Sequence, residues 1–307
     1  MNKRDLLSLE HYTPEEIRRI LKLAADLKKQ KGQRLDVLRA KSIGLLFQKP
    51  SNRTRVSFEV GIWQLGGNCI YLGPEEIDLG KRESAQDVAK TLSRYLDAIV
   101  ARTHSHADII ALGKNASIPI INGLSDLFHP CQALADIFSI QERFGTFEGI
   151  TVTYIGDGNN VCHSLILAGL KMGLTINIAS PRGYEPKPEV VAKAEKIAKD
   201  NNGHFTVSHS AQNVIKNAQV VYTDVWTSMG QEKETQQRLQ DFHDYQLNRQ
   251  LVGLADPEFV FMHCLPAHRG QEVTEEVIDG PHSIVFDQAE NRMHVQKAVL
   301  VFLLKNK

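Results

Sequence analysis

The stretch Phe47-Gln48-Lys49-Pro50-Ser51-Asn52-Arg53-Thr54-Arg55 decides how the chain folds. The apolar run 43–47 leads into it and reads as a strand. Pro50 keeps the preceding residues out of a helix, and Ser51 is a strong N-cap residue. A helical pattern then covers 52–65, with Val56, Val60 and Trp63 on one face, and stops at Gly66-Gly67. Two arginines and two hydroxyls thus stand at or in the first turn of a helix that follows a strand. Such a helix end already offers free N–H groups and a partial positive charge. Arginines there are unfavourable unless an anion compensates them, so the stretch predicts a bound phosphate or carboxylate. The plainer alternative is a basic helix start facing solvent. Arg55 suits it, because Glu59 lies four residues on; Arg53 has no such local partner.

The whole chain narrows the class. Its 307 residues, 42% hydrophobic and 23% charged, suit a soluble globular protein of about two domains. Lys+Arg and Asp+Glu are balanced at 36 each, which argues against a general nucleic-acid binder. No apolar run is long enough to span a bilayer, and Met1-Asn2-Lys3-Arg4-Asp5 lacks the apolar segment of a signal peptide. Cys69, Cys131, Cys162 and Cys264 are widely spaced and read as reduced thiols in a cytoplasmic protein. The histidines, His104 and His106 among them, form no helical pair or Cys/His ligand set, so no metal site is expected.

Outward from the opening stretch, strands and helices alternate. Thr13-Pro14-Glu15-Glu16 starts a helix over 13–30. Strands follow at 68–72, 98–101 and 119–122, helices at 84–96, 106–113 and 130–143. Gly145 to Gly149 looks like a joint. A second series has strands at 151–155, 175–179, 206–208 and 220–223, and helices at 160–172, 189–200 and 211–216. After the polar stretch 231–249 come strands at 259–263 and 283–286, then a final helix from about residue 290. The pattern predicts an α/β protein of two doubly wound parallel-sheet domains joined by long helices. The expected domains are 1–144, with a C-terminal helix 288–307 packing back on it, and 145–287. In such sheets ligands sit at the carboxyl ends of strands, so the site is expected in the interdomain cleft.

The polar clusters fall at those strand ends. Arg53, Thr54 and Arg102 can hold a phosphate. His129 precedes a proline at a helix start, where its ring can donate to a polarised carbonyl or pack locally as a cap. Gln132, in the first turn, can read an amide. Gly156-Asp157-Gly158 resembles the start of a dinucleotide fingerprint, but Asn159-Asn160-Val161 stands where the third glycine belongs, and no acid ends the next strand. Two asparagines suit an amino-acid backbone better. Asp224 ends a strand before a flexible turn; it can bind an ammonium group or serve as a surface cap. His263 and Cys264 are adjacent, and strand neighbours face opposite sides, so spacing alone favours an inert thiol.

Together these residues resemble the aspartate/ornithine carbamoyltransferase family over nearly the full chain. The carbamoyl-phosphate motif Ser-x-Arg-Thr-Arg stands at 51–55, and His-Pro-x-Gln-x-Leu-Ala-Asp at 129–136. Asp224-Val225-Trp226-Thr227-Ser228-Met229-Gly230, His263-Cys264-Leu265-Pro266 and Phe286-Asp287-Gln288-Ala289-Glu290-Asn291-Arg292-Met293 point to the ornithine branch. The resemblance implies transfer of a carbamoyl group from carbamoyl phosphate to the δ-amine of L-ornithine. It gives the phosphate to Ser51, Asn52, Arg53, Thr54, Arg102 and, within the same motif, Arg55. His129, Gln132 and Arg292 bind and polarise the carbamoyl end. Asn160, Asp224, Ser228 and Met229 grip ornithine, while Cys264 and the Leu265 carbonyl orient its δ-amine. The amine must lose a proton; either Cys264 takes it or phosphate does. No cofactor is implied. A sister enzyme acting on putrescine or a modified ornithine, or a silent regulatory homologue, would share much of this pattern. The resemblance further implies a homotrimer or assembly of trimers, with a neighbour's segment matching Glu76-Ile77-Asp78-Leu79-Gly80 completing each site. Asp78 stands where glutamine is common, so it must turn away or be compensated by Lys81 or Arg82; Asn52 stands where threonine is common.

Overall fold

The computed structural model describes residues 4–305 except 78, 80, 81, 202 and 229. The expectations placed on Asp78, Gly80, Lys81 and Met229 therefore lie outside the described residues. The chain forms two α/β units. One runs to Phe138 and takes in the chain again from Glu290; the other is Ser139–Ala289.

The first unit holds β1 (Ser42–Phe47), β2 (Asn68–Leu72), β3 (Ala98–Arg102) and β4 (Ile120–Leu124), all parallel, in the order β2-β1-β3-β4. Its helices are α1 (Pro14–Lys29), α2 (Asn52–Gln64), α3 (Pro74–Ile77), α4 (Ala85–Leu92), α5 (His106–Asn115) and α6 (Pro130–Phe144). Thr13 and Glu16 close a capping box on α1. Strands β1, β3 and β4 are almost wholly buried, as parallel strands covered on both faces require.

The second unit holds β5 (Thr151–Ile155), α7 (Asn160–Lys171), β6 (Thr175–Ala179), α8 (Pro188–Asp200), β7 (His204–Ser208), α9 (Ala211–Val214), β8 (Val220–Thr223), α10 (Thr235–Asp241), α11 (Arg249–Val252), β9 (Val260–His263) and α12 (Glu275–Ile278). Its parallel sheet has the order β7-β6-β5-β8-β9. Apolar residues of β5 and β8 divide between two clusters, with Ile155 and Val221 in one and Tyr154 and Tyr222 in the other. The last helix, α13 (Val285–Lys305), crosses back into the first unit, so the unit boundaries fall inside α6 and α13.

Two local expectations fail. The strand expected at 283–286 does not form: Ser283 makes only an isolated bridge to Phe261, and α13 begins at Val285 rather than near 290. The apolar run there is helical, which periodicity over four residues cannot distinguish from a strand. On α2 the buried residues are Thr54, Phe58, Gly61 and Ile62, while Val56 and Trp63 are 54% and 58% exposed. The face that reads as apolar is the outer one.

Gly158 lies in the turn after β5 because a Cβ there would stand 2.2 Å from the Pro186 nitrogen and 2.4 Å from the Glu185 carbonyl carbon. Those are backbone atoms with little room to retreat. Gly158→Ala should destabilise the protein by about 2 kcal/mol or more, a scale set by overpacking; a thermal melt within a degree of wild type would contradict this.

Candidate active site

In the first unit, register brings the groups together. Phe47, the last residue of β1, pairs with Arg102, the last of β3. Gln48 ties the two ends: its N–H donates to the Arg102 carbonyl at 2.8 Å, and its Oε1 accepts from the His104 N–H at 2.8 Å. Ser51 caps α2, its Oγ accepting from the Thr54 N–H at 3.3 Å and donating to Thr54 Oγ1 at 3.1 Å. Thr54 is fully buried, and its Oγ1 also accepts from Arg292 Nη2 at 2.7 Å, which binds α13 to the start of α2. Asn52 Oδ1 accepts from the Arg53 N–H at 2.7 Å.

His129 is buried just before α6. Its pKa is held well below the ordinary histidine value, first by burial and then by the positive charges of Arg292, Arg102 and Arg53. The imidazole is therefore neutral, and a neutral ring can still donate one hydrogen bond. Arg53 Nε is buried without a hydrogen-bond partner among the described residues. Gln132 Nε2 donates to Asp136 Oδ1 at 2.8 Å. So the charges of Arg53, Arg102 and Arg292 all bear on His129. Arg55 points elsewhere: its Nε donates to Glu59 Oε1 at 2.8 Å, and its guanidinium lies 3.8 Å from the Tyr71 ring centroid.

In the second unit the cluster is acidic. Asp224 is buried after β8. Its Oδ1 accepts from Cys264 Sγ at 3.0 Å and the Val225 N–H at 2.8 Å; its Oδ2 accepts from Asn159 Nδ2 at 2.8 Å. Asn159 also caps α7, its Oδ1 accepting from the N–H groups of Val161 and Cys162. Asn160 is the first residue of α7, its carbonyl accepting from Ser164 Oγ at 2.9 Å. The Ser228 turn is closed on itself, Ser228 N–H donating to Gln231 Oε1 and Gln231 N–H to the Ser228 carbonyl, both at 3.0 Å. Leu265 has φ +57° and precedes a cis peptide bond to Pro266; its N–H donates to His263 Nδ1 at 2.9 Å. That fixes the proton of the His263 ring on Nε2, which donates to the fully buried Glu272 at 3.2 Å.

Ligand atoms of Asp224, His263 and Cys264 lie within 4.8 Å of one another, close enough to hold a cation. Both His263 nitrogens and the Cys264 thiol are already engaged in the hydrogen bonds just given. The four cysteines are free thiols. No helix among the described residues is long and apolar enough to cross a membrane.

Asn159 is expected from sequence only as part of a polar turn, and Arg238 is not singled out at all. Asn159 was legible as an N-cap by residue type, since asparagine before a helix is strongly preferred. Arg238 was not, because it lies mid-helix in a polar stretch. It is buried on α10, donating to the Trp226 carbonyl at 2.8 Å and to Glu234 Oε2 at 2.9 Å, 3.2 Å from Asp157 Oδ2, and stacked 4.8 Å from the Tyr184 centroid. One guanidinium so ties both flanks of the Ser228 turn to the turn after β5. Asp157 is nevertheless pushed up to about 6, because burial outweighs the pull of Arg238 and Asp224 adds repulsion.

Fold and site define a two-domain α/β protein with a cluster of arginines around a histidine in one parallel-sheet unit and buried carboxylates in the other. Residues 4–142 match the aspartate/ornithine carbamoyltransferase carbamoyl-P binding domain, and residues 148–303 the Asp/Orn binding domain of the same family. A protein of Pyrococcus abyssi named ornithine carbamoyltransferase is 52% identical over 303 residues, 98% of this chain and 96% of that one. The solved ornithine carbamoyltransferase from Pyrococcus furiosus superposes with TM-score 0.97 at 50% identity, covering 99% of this chain and 98% of its own. That from Thermus thermophilus does so with TM-score 0.89 at 43% identity, covering 99% and 100%. The chain belongs to the aspartate/ornithine carbamoyltransferase family.

The neutral His129 has a stability signature. Its folded pKa is lowered, so below the unfolded value of about 6.5 the unfolded chain takes up a proton that the folded one refuses. Stability should fall as pH drops through that value, by up to about 1.4 kcal/mol per pH unit from this group. His129→Gln should flatten the decline; identical slopes in pH-dependent melts of the two proteins would refute the assignment.

Proposed function

We propose that this chain transfers the carbamoyl group of carbamoyl phosphate to the δ-amine of L-ornithine, giving L-citrulline and phosphate. The observation that carries the reading is the Asp224 carboxylate accepting from Cys264 and Asn159, within motifs that separate the ornithine branch from its aspartate sister. The Pyrococcus abyssi and Pyrococcus furiosus relatives, both named ornithine carbamoyltransferase, align with 98% and 99% of this chain.

In this reading the phosphate sits on the N-terminus of α2, held by Ser51, Asn52, Arg53, Thr54 and Arg102. His129 and Arg292 donate to the carbonyl oxygen. Gln132 Oε1 accepts from the carbamoyl NH2. Asp224, Asn160, Ser228 and Met229 take the amino-acid end of ornithine. The Cys264 sulfur and the Leu265 carbonyl accept from the δ-amine and aim its lone pair. The δ-nitrogen attacks the carbonyl carbon, an N–C bond forms, and the oxygen becomes an oxyanion facing His129 and Arg292. Collapse breaks the C–O bond and releases phosphate, which takes the amine proton. Cys264 already donates to Asp224, and a thiolate there would stand beside a carboxylate. We therefore assign it positioning rather than proton removal. No cofactor enters this scheme.

We further propose that the working form is a cytoplasmic homotrimer or assembly of trimers. Its support is the exposed apolar face of α2, where Val56, Val60 and Trp63 lie near the edge strand β2 with its exposed Ile70. A face of that kind marks an interaction surface. Trp63→Glu should shift sedimentation toward the monomer; an unchanged coefficient would remove this surface from the interface.

Citrulline formation should far exceed carbamoylputrescine formation, because putrescine has neither the carboxylate nor the α-amine that the second cluster recognises. The reverse preference would overturn the assignment. Arg53→Ala should weaken carbamoyl-phosphate use by about 10²-fold, the scale of a lost charge-assisted pair. Arg55→Ala should do less, and a larger effect from Arg55 on phosphate affinity would reverse their roles.

A further inference from the structure

We propose that Asp136 is a positioning residue that makes the first cluster selective for carbamoyl phosphate over acetyl phosphate. The proposal rests on the reading above and adds the device that tells an amino group from a methyl group at the acyl carbon.

His129, Gln132 and Asp136 are spaced three and four residues apart at and along α6, so they share one face. Gln132 is 1% exposed and Asp136 0%. Gln132 Nε2 donates to Asp136 Oδ1 at 2.8 Å. A carboxylate can only accept, so the amide cannot turn over without setting its oxygen against Asp136. The two ends of a side-chain amide are otherwise close to interchangeable in shape. Asp136 removes that ambiguity and commits Gln132 Oε1 to the opposite direction. That oxygen is buried and has no hydrogen-bond partner among the described residues. It carries a desolvation penalty until a donor reaches it.

The other groups of the cluster complement this acceptor. Arg53, Arg102 and Arg292 can only donate, so they match the oxygens of an acyl phosphate. Gln132 Oε1 can only accept, so it matches an N–H on the acyl carbon. Carbamoyl phosphate has one there. Acetyl phosphate has the same phosphate, the same carbonyl and nearly the same shape, but a methyl in that place. Bound in its stead, it would leave Oε1 buried and unpaired. Without Asp136 the amide can rotate, present Nε2 to the ligand and lose the distinction.

The test uses the full-length protein with carbamoyl phosphate as substrate and acetyl phosphate and inorganic phosphate as competing inhibitors of citrulline formation. Wild type should favour carbamoyl phosphate over acetyl phosphate by about 10²-fold or more, as sites with an obligatory buried hydrogen bond do. Asp136→Asn should lower kcat/KM for carbamoyl phosphate about 10-fold or more, while both inhibition constants stay within about twofold. In a Gln132→Met background the same change should bring no further loss of the preference for carbamoyl phosphate over acetyl phosphate, because that preference is set through Gln132. If thermal melts show that Asp136→Asn is unfolded, Asp136→Ser is read in its place, and the wild-type ratio decides without any variant. The proposal is overturned by a wild type that holds acetyl phosphate as well as carbamoyl phosphate, by parallel losses for all three ligands, or by additive losses of that preference in the double variant. A wild type that makes no citrulline defeats the proposed function instead, and the two failures are distinct.

Discussion

Three guanidinium groups held around one buried imidazole set the terms for the first unit. Arg53 comes from the first turn of α2, Arg102 from the end of β3 and Arg292 from α13. His129 is kept from taking a proton first by its burial and then by these three positive charges. What holds them is the parallel sheet, which ends β1 and β3 side by side, and the Thr54 hydroxyl, which fastens Arg292 to the start of α2. The result is a concentration of positive charge at the carboxyl ends of β1 and β3.

The second unit solves the opposite problem. Asp157 and Asp224 are both buried at neighbouring strand ends, after β5 and β8. Asp224 is surrounded by donors on Asn159, Val225 and Cys264. Asp157 has the partly shared Arg238, and burial still lifts it to about 6. One carboxylate is thus held by three internal donors, while the other helps anchor the flanks of the Ser228 turn through Arg238. The two clusters thus carry opposite sign: guanidinium groups in the first, carboxyl groups in the second.

Much of this was legible in the chain because strand ends are where polar residues interrupt apolar runs. Ser51, Arg102 and Asp224 all announce themselves that way, whereas the spacing of Cys264 favours an inert thiol, and alternation gave the two sheets. What stayed hidden depends on partners far along the chain. Thr54 meets Arg292 across 238 positions, and Cys264 meets Asp224 across 40. Arg238 sits in a helix with no apolar period to mark its buried side. Val56, Val60 and Trp63 did show helical spacing, but spacing identifies a face without saying whether this chain or another body covers it. The start of α13 was misread because three apolar residues, Ile284, Val285 and Phe286, fit strand and helix equally well.

The motif at 51–55 carries two arginines, and helix geometry keeps them from doing one job. Residues two apart on a helix point about 200° away from each other. With Arg53 turned toward His129, Arg55 must face the other way, and there it finds Glu59 and the Tyr71 ring on β2. Tyr71 in turn packs edge-on against Phe47, with ring centroids 5.6 Å apart. Phe47 is the last residue of β1, four positions before the Ser51 cap. Arg55 therefore bears on the end of β1 by way of Tyr71 and Phe47, while Arg53 bears on His129 with its own charge.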